Sequence, residues 1–414
     1  MLQRLGFPSI GRHRRFVTAI AVDAVGSGVF MPLAMLYFLE VTPLTLVQVG
    51  AAISIASAVA LPAGPVIGGI VDRVGAKRVL LAGNLLQAVG FAAYLVTQSF
   101  AAVLAWTIVV TVGRTAFWGS YANIVAAISR PGEREKWFGF LGALRNVGFA
   151  VGGLAAGAAI TVGTELAFDA VVAANAASYV VALLLLLAVP ETRPAHAPAL
   201  PGTWGTVLRD HRYRLLVGTQ LGYSIAMMVL NFAIPVYAVT MLGLPGWLTG
   251  AVFTINTVMI GFGQGLVVTG MTGRLRWRIL VVTQLVFGAS FLVLWVAGEL
   301  SEPLAITLIL VGSVVYTGGE LLGGPVLGAL SAEAAPAELR GRYLALIQLA
   351  WNVASTVAPV SFAWLLARGV ADLWVALLVV SAVSVAAAVR LGRTMPHAAL
   401  PVTNRVEPVA AEPA

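Results

Sequence analysis

The chain contains no cysteine, so it holds no disulfide, no thiolate metal site and no cysteine nucleophile. Histidine is nearly as scarce. His13, His196, His211 and His397 are the full set, and all four fall outside the long apolar runs. That leaves no intramembrane histidine relay or zinc site. Charge is the third shortage: 10% of the 414 residues are charged, against about 25% in an ordinary soluble domain. Several soluble domains would need a polar surface that this chain cannot supply. Soluble enzymes, disordered chains and fibrous proteins are excluded on that ground. A Walker A sequence is also missing, which argues against ATP drive.

What is there is apolar. Hydrophobic residues make up 59% of the chain, and its mean hydropathy is +0.94. The 44 glycines suit closely packed membrane helices. The composition points to a polytopic membrane protein. A membrane helix needs about 20 mostly apolar residues. Twelve such runs lie near 16–40, 44–70, 79–99, 101–128, 138–162, 168–189, 215–241, 246–269, 279–298, 304–331, 343–367 and 372–391. They are too long, and alternate too little, for a β-barrel.

The runs divide the chain into an N-terminal six-helix bundle (1–189) and a C-terminal one (215–392). Between them, residues 190–214 read as a polar cytoplasmic linker, with a short surface helix around Trp204–Asp210. Residues 393–414, with Pro396, Pro401, Pro408 and Pro413, read as a disordered cytoplasmic tail. The run after Arg12, Arg14 and Arg15 is too long for a signal-peptide core, so no cleavage is expected.

Basic residues set the topology. Of 25 Lys/Arg, 22 lie in the N-terminus, the even-numbered loops and the C-terminus. Arg368 alone lies in an odd-numbered loop, while Arg114 and Arg145 lie inside spans. The positive-inside rule then predicts a multi-pass protein of the plasma (inner) membrane with both termini cytoplasmic. The net charge of +8 is accounted for by this bias beside an anionic leaflet, with no nucleic-acid partner.

The two halves repeat weakly. VLLAGNLLQAVG (79–90) aligns with ILVVTQLVFGAS (279–290), and Pro32 with Pro235. Asn146-Val147 falls on Asn352-Val353, Arg134 on Arg340, Gly153 on Pro359 and Arg114 on Glu320. Two similar halves of like orientation build a transporter with its site between them.

After the second run comes Gly68-Gly69-Ile70-Val71-Asp72-Arg73-Val74-Gly75-Ala76-Lys77-Arg78. It resembles the loop 2–3 signature of the major facilitator superfamily, G-x-x-x-D-[RK]-x-G-x-[RK]-[RK]. The chain is accordingly identified as resembling that superfamily's twelve-helix drug:proton antiporter branch. The resemblance implies an all-α fold of twelve transmembrane helices in two pseudo-symmetric six-helix bundles. In this gating loop Gly68 permits close helix approach, and Gly75 a tight reversal. The resemblance has Asp72 face the start of the eleventh span as a latch between the halves. An ordinary solvated loop formed by Asp72, Arg73, Lys77 and Arg78 is the alternative. The matching loop of the second half, Thr272–Arg278, has no acid, which suggests that one half carries the switch. Gly148–Gly153 resembles the exporters' G-x-x-x-G-P motif, with Gly153 in place of Pro; plain close packing explains it equally well.

An ionisable side chain in hydrocarbon is costly and marks a candidate site. Asp23 lies roughly 12 Å into the first span, and Arg145 roughly 13–14 Å into the fifth from the same side, at 1.5 Å per residue. They are expected to pair, as a register-fixing or a functional ion pair. Glu320 and Arg114 lie deeper, roughly 22 Å in, on spans that line the cavity in the superfamily. The Gly319-Glu320 step resembles that of proton-coupled multidrug exporters. Desolvation disfavours an ionised carboxyl and a nearby cation favours it, so alternating access can load and unload a proton there. Glu320 is the expected proton-coupling residue, with Asp23 second. Arg145 and Arg114 are expected as counter-charges, Arg114 alternatively as an anchor for an anionic substrate. Phe30, Tyr37, Trp118, Tyr121, Met228, Phe232, Tyr237 and Tyr316 are candidate cavity residues, since aromatics and Met can re-pack around lipophilic guests.

The expected function is secondary active transport by alternating access: proton-coupled, multidrug-type efflux of lipophilic or amphipathic small molecules. No cofactor and no catalytic or metal site is expected. The partners are the substrate, protons and membrane lipids, and the state a monomer. The alternatives are a proton-coupled importer of a nutrient, or a non-transporting sensor or scaffold. An integral membrane enzyme would need clustered His, Asp or nucleophiles at the membrane face, and none is seen.

Overall fold

The computed structural model describes residues 7–30, 34–130, 132–189 and 204–404. Among them the regular secondary structure is all helical, apart from one isolated antiparallel bridge, Leu275 to Pro401. The first half contains α1 (Arg14–Phe30), α2 (Ala34–Val41), α3 (Leu46–Ala60), α4 (Ala63–Val74), α5 (Ala76–Tyr94), α6 (Phe100–Ile128), α7 (Arg134–Val162) and α8 (Glu165–Leu187). The second contains α9 (Trp204–Arg209), α10 (His211–Met228), α11 (Trp247–Gly270), α12 (Arg276–Ala297), α13 (Glu302–Ala334), α14 (Arg340–Arg368), α15 (Val370–Thr394) and α16 (Pro396–Ala399).

Among the described residues, nine helices are long and apolar enough to cross a membrane, and α3 with α4 adds a pair bent by 45°. The break in that pair falls at Leu61-Pro62, where proline removes a helical donor. The same chemistry acts after α10. Around Pro235 the chain widens into two π-helical stretches, Val229–Ala233 and Val236–Met241. Its repeat partner Pro32 lies outside the described residues.

The pairing of helices repeats between halves. In the first, α1 packs on α7 and α8, and α5 on α6 and α8. In the second, α10 packs on α14 and α15, and α12 on α13 and α15. Glycine makes the α1–α7 contact possible. A Cβ on Gly28 would lie 2.6 Å from the Cα of Phe149, and one on Gly148 2.6 Å from the Cβ of Ala24. Gly152 meets the backbone of Val25 and Val29, whereas Gly153 faces open space. Close packing is thus what Gly148 and Gly152 do here. The halves meet chiefly through α4 on α14 and α7 on α11 and α13.

Two boundary expectations change. Residues 190–203 of the linker lie outside the described residues, and α10 already begins at His211, capped by Asp210, which accepts from the amides of Arg212 (3.1 Å) and Tyr213 (3.0 Å). The disordered tail expected from 393 is not free over its first part. After α15, the chain turns back onto the start of α12. Gly273 N donates to Val402 O (2.7 Å), Val402 N to Arg274 O (3.0 Å) and Arg276 N to Leu400 O (3.2 Å). Met395, Ala398 and Val402 are buried there. Apolar side chains at 395, 398 and 402 and this long-range backbone pairing outweigh the proline-rich composition. Residues 405–414 lie outside the described residues.

Candidate functional site

One end of the bundle carries loops 72–78, 130–136 and 272–278 and the docked segment 395–404; it is called the basic end. Here the expected gating loop is held by close approach and by charge. A Cβ on Gly68 would lie 2.8 Å from the carbonyl oxygen of Gly341, so α4 and α14 touch backbone to backbone. Asp72 reaches the first turn of α14, where its oxygens accept from Gly341 N (2.6 Å) and Arg342 N (3.3 Å), and Arg342 Nη1 stands 3.7 Å away. Those amides have no partner within their own helix, and the helix dipole favours an anion there. Gly75 turns the chain with φ of +91°, a conformation that other residues resist. Arg73 is exposed beside Arg342 and Trp204 in a groove of about 230 Å³. Lys77 turns away from α14 and donates to the carbonyl of Leu187, the last residue of α8 (3.1 Å), and to that of Val189 just beyond it. It fastens its own half. Arg78 is exposed on the same turn.

The second half has a counterpart that its lack of an acid concealed. Arg276 is buried and reaches across to Glu135 at the start of α7 (Nη2 to Oε1, 2.6 Å), and also holds Glu333 (2.6 Å). Arg134 joins the cluster on Glu333 at 3.2 Å. The repeat places α7 opposite α14, so each loop grips the helix start that its counterpart grips in the other half, with the charges exchanged. The second half therefore lacks the acid but not the bridge: both loops join the halves. Lys136 adds a cross-link by donating to Asn404 O at 2.7 Å. Alongside, Gly139 of α7 lets Val268 and Gln264 of α11 come close.

Deeper inside, Asp23 and Arg145 meet as expected, at 2.6 Å and nearly fully buried. The Arg145 guanidinium also lies over Trp118 (4.5 Å), Phe149 (5.2 Å) and Phe117 (5.3 Å). The rings take up its flat faces while Asp23 takes an edge.

Glu320 stands apart from this pair. Its Oε2 accepts from Asn256 Nδ2 of α11 at 2.7 Å, and the same amide reaches Thr317 Oγ1 at 3.2 Å. Sequence reasoning passed over Asn256, and no motif marked it. One turn on, Pro325 has no N–H for the carbonyl of Leu321, and Gln264 Nε2 donates there instead at 2.9 Å. α11 thus holds both the side chain and the backbone around Glu320. Arg114 is exposed and pairs with no acid among the described residues, so it is not a counter-charge here.

The candidate cavity residues divide. Phe30 and Tyr37 sit in a packed aromatic cluster: Phe30 meets Phe91 at 4.7 Å, and Tyr37 donates to Tyr94 O and Asp169, each at 3.2 Å. Tyr316 donates to Ala226 O (3.1 Å), and Tyr237 to Trp295 O (3.4 Å) while packing on Trp374. Met228 is buried with them, and Tyr121 packs beside Trp118 at 5.5 Å. Phe232 is exposed. Buried hydroxyls need partners, which is why these tyrosines pack rather than open onto a cavity.

The sequence profile of the Major Facilitator Superfamily matches residues 16–359. The chain belongs to this superfamily. Its relatives in the superfamily include the multidrug resistance protein MdtH of Klebsiella pneumoniae (strain 342), 25% identical over 370 residues, 87% of this chain and 88% of that protein. MdtH of Edwardsiella ictaluri (strain 93-146) is 26% identical over 356 residues, 83% and 84% of the two chains. Solved superfamily-like folds agree. The human organic anion transporter MFSD10 (TETRAN) superposes with a TM-score of 0.71 at 16% identity, over 91% of this chain and 99% of its own. A bacterial homologue of the iron transporter ferroportin, in its outward-facing state, gives 0.75 at 14% identity, over 92% and 99%. The chain thus has the family and fold of multi-pass membrane transporters of small molecules.

Proposed function

We propose that this protein exports lipophilic or amphipathic small molecules across the inner membrane in exchange for protons, by alternating access of its two halves. The reading rests on Glu320. It is an acid within a membrane helix, half-buried, and its side-chain partner is the neutral Asn256 rather than a cation. A carboxyl so placed can bind and release a proton as its surroundings change from wet to dry. The proton gradient supplies the drive, with no cofactor. The multidrug-resistance relatives favour export of lipophilic compounds. With the termini and basic end cytoplasmic, as the basic loops indicate, the bridges formed by Asp72 and Arg276 close the cytoplasmic side.

The Asp23–Arg145 pair is given the second role, holding α1 against α7 while the halves rock. In inverted vesicles carrying the protein, an imposed pH gradient should drive uptake of lipophilic dyes. Glu320→Gln should abolish that uptake while leaving expression intact. Gradient-driven uptake at wild-type rate by Glu320→Gln would refute the proposal.

A further inference from the structure

Arg114 is the intramembrane charge that proton coupling leaves without a task. Its direction follows from the contacts of α6. One face meets α5, where Gly113 lies against Gly83. A second meets α4, where Thr115 lies near Gly64 and Gly119 near Ile67. α6 also meets α3, α14 and α13, and Arg114, Trp118 and Tyr121 share one stripe of it, at the spacing of one helix face. Trp118 on that stripe covers Arg145 of α7, so the stripe looks into the protein rather than toward lipid. Arg114 also lies within electrostatic reach of Tyr94 of α5 and Tyr179 of α8.

An interior-facing side chain that is nonetheless exposed marks a water-accessible cleft. Arg145 is buried with Asp23, but Arg114 makes no hydrogen bond or ion pair among the described residues. Water can solvate it while the cleft is open. When the halves rock and the cleft closes, that water leaves, and an unpaired guanidinium resists the change. Glu320 does not serve as its partner, since its carboxylate is held by Asn256. One turn along the same stripe Trp118, half-buried, sets an aromatic surface next to Arg114.

We propose that Arg114 anchors the acidic group of the substrate, and that the preferred substrates are amphipathic aromatic anions, carboxylates or sulfonates, whose apolar body lies against Trp118. This rests on the transport reading and names its substrate class. The anion supplies the charge that lets the cleft close over Arg114.

Two xanthene dyes of one skeleton test it: fluorescein, which carries a carboxylate, and rhodamine 6G, a cation. Binding to the purified full chain is followed by fluorescence anisotropy, without any gradient. The wild-type protein should favour fluorescein. Arg114→Gln should lower the fluorescein-to-rhodamine 6G affinity ratio at least tenfold, and Arg114→Lys should keep most of it. On the unmodified protein, fluorescein methyl ester, lacking the carboxylate, should bind at least tenfold more weakly than fluorescein; this arm stands even if a variant fails to fold. An unchanged ratio in Arg114→Gln, equal binding of dye and ester, or binding of rhodamine 6G alone overturns the proposal. Intact fluorescein preference without gradient-driven uptake would count against proton coupling and leave the anion site standing.

Discussion

A carboxylate and a guanidinium buried together lean on each other. Removing either partner of a buried pair costs about 3–5 kcal/mol, because the other charge is left without compensation. Asp23→Asn should therefore destabilise the protein by about that much. Arg145→Gln should do the same, and the double variant should cost less than the two singles together. Thermal unfolding in detergent, run as a double-mutant cycle, measures this; strictly additive losses would show that the pair is energetically idle. The pairing was legible from the sequence because each residue could be placed by counting turns from its basic loop. The partner of Glu320 was not. Asn256 looks like any other polar residue in an apolar run, and Asn231, of the same type, merely bonds the carbonyl of Met227 four residues back in its own helix. Nothing in single-residue chemistry separates the two, since the difference is which helix stands opposite.

Helices were legible where apolar length defined them, and their contacts were legible only where glycine marked a close approach. Gly152 and Gly153 are adjacent and identical in the sequence, yet only Gly152 lies against another backbone. Gly152→Leu should drive α1 off α7 and abolish the monodisperse folded protein, whereas Gly153→Leu should be tolerated. Size-exclusion profiles of the two variants compare them directly. The docking of the segment after α15 is hidden in the sequence for a related reason. Its composition suggests a loose tail, while its anchors lie more than a hundred residues away. Asn404 Nδ2 donates to Val268 O at 2.6 Å and to Thr272 Oγ1 at 3.0 Å. Asn404→Ala leaves those acceptors without their donor, a loss of about 1–3 kcal/mol. A chain ending at Thr394 should melt at a lower temperature still. Equal melting of the full and shortened chains would show that the docked segment adds nothing.

At the scale of the molecule, two charged bridges close the basic end, and a cysteine-free chain makes their strength easy to read. Val268 is buried opposite Gly139 of the other half, so a single Val268→Cys reports whether the halves part there. In that background Asp72→Asn and Arg276→Gln should each speed thiol labelling roughly tenfold, as expected for the loss of a hydrogen bond to a charged group. The two together should speed it further. Labelling that stays slow in both variants would show that packing, not charge, holds the end shut.

The polarity of these bridges has a consequence of its own. Asp72 and Glu135 belong to the first half, and Arg276 and Arg342 to the second. Two copies of the first half would bring acid against acid, and two copies of the second base against base. Each half is thus a poor partner for itself and a good one for its complement, the arrangement by which heterodimers reject homodimers. Made as separate polypeptides, the halves should find one another rather than self-associate.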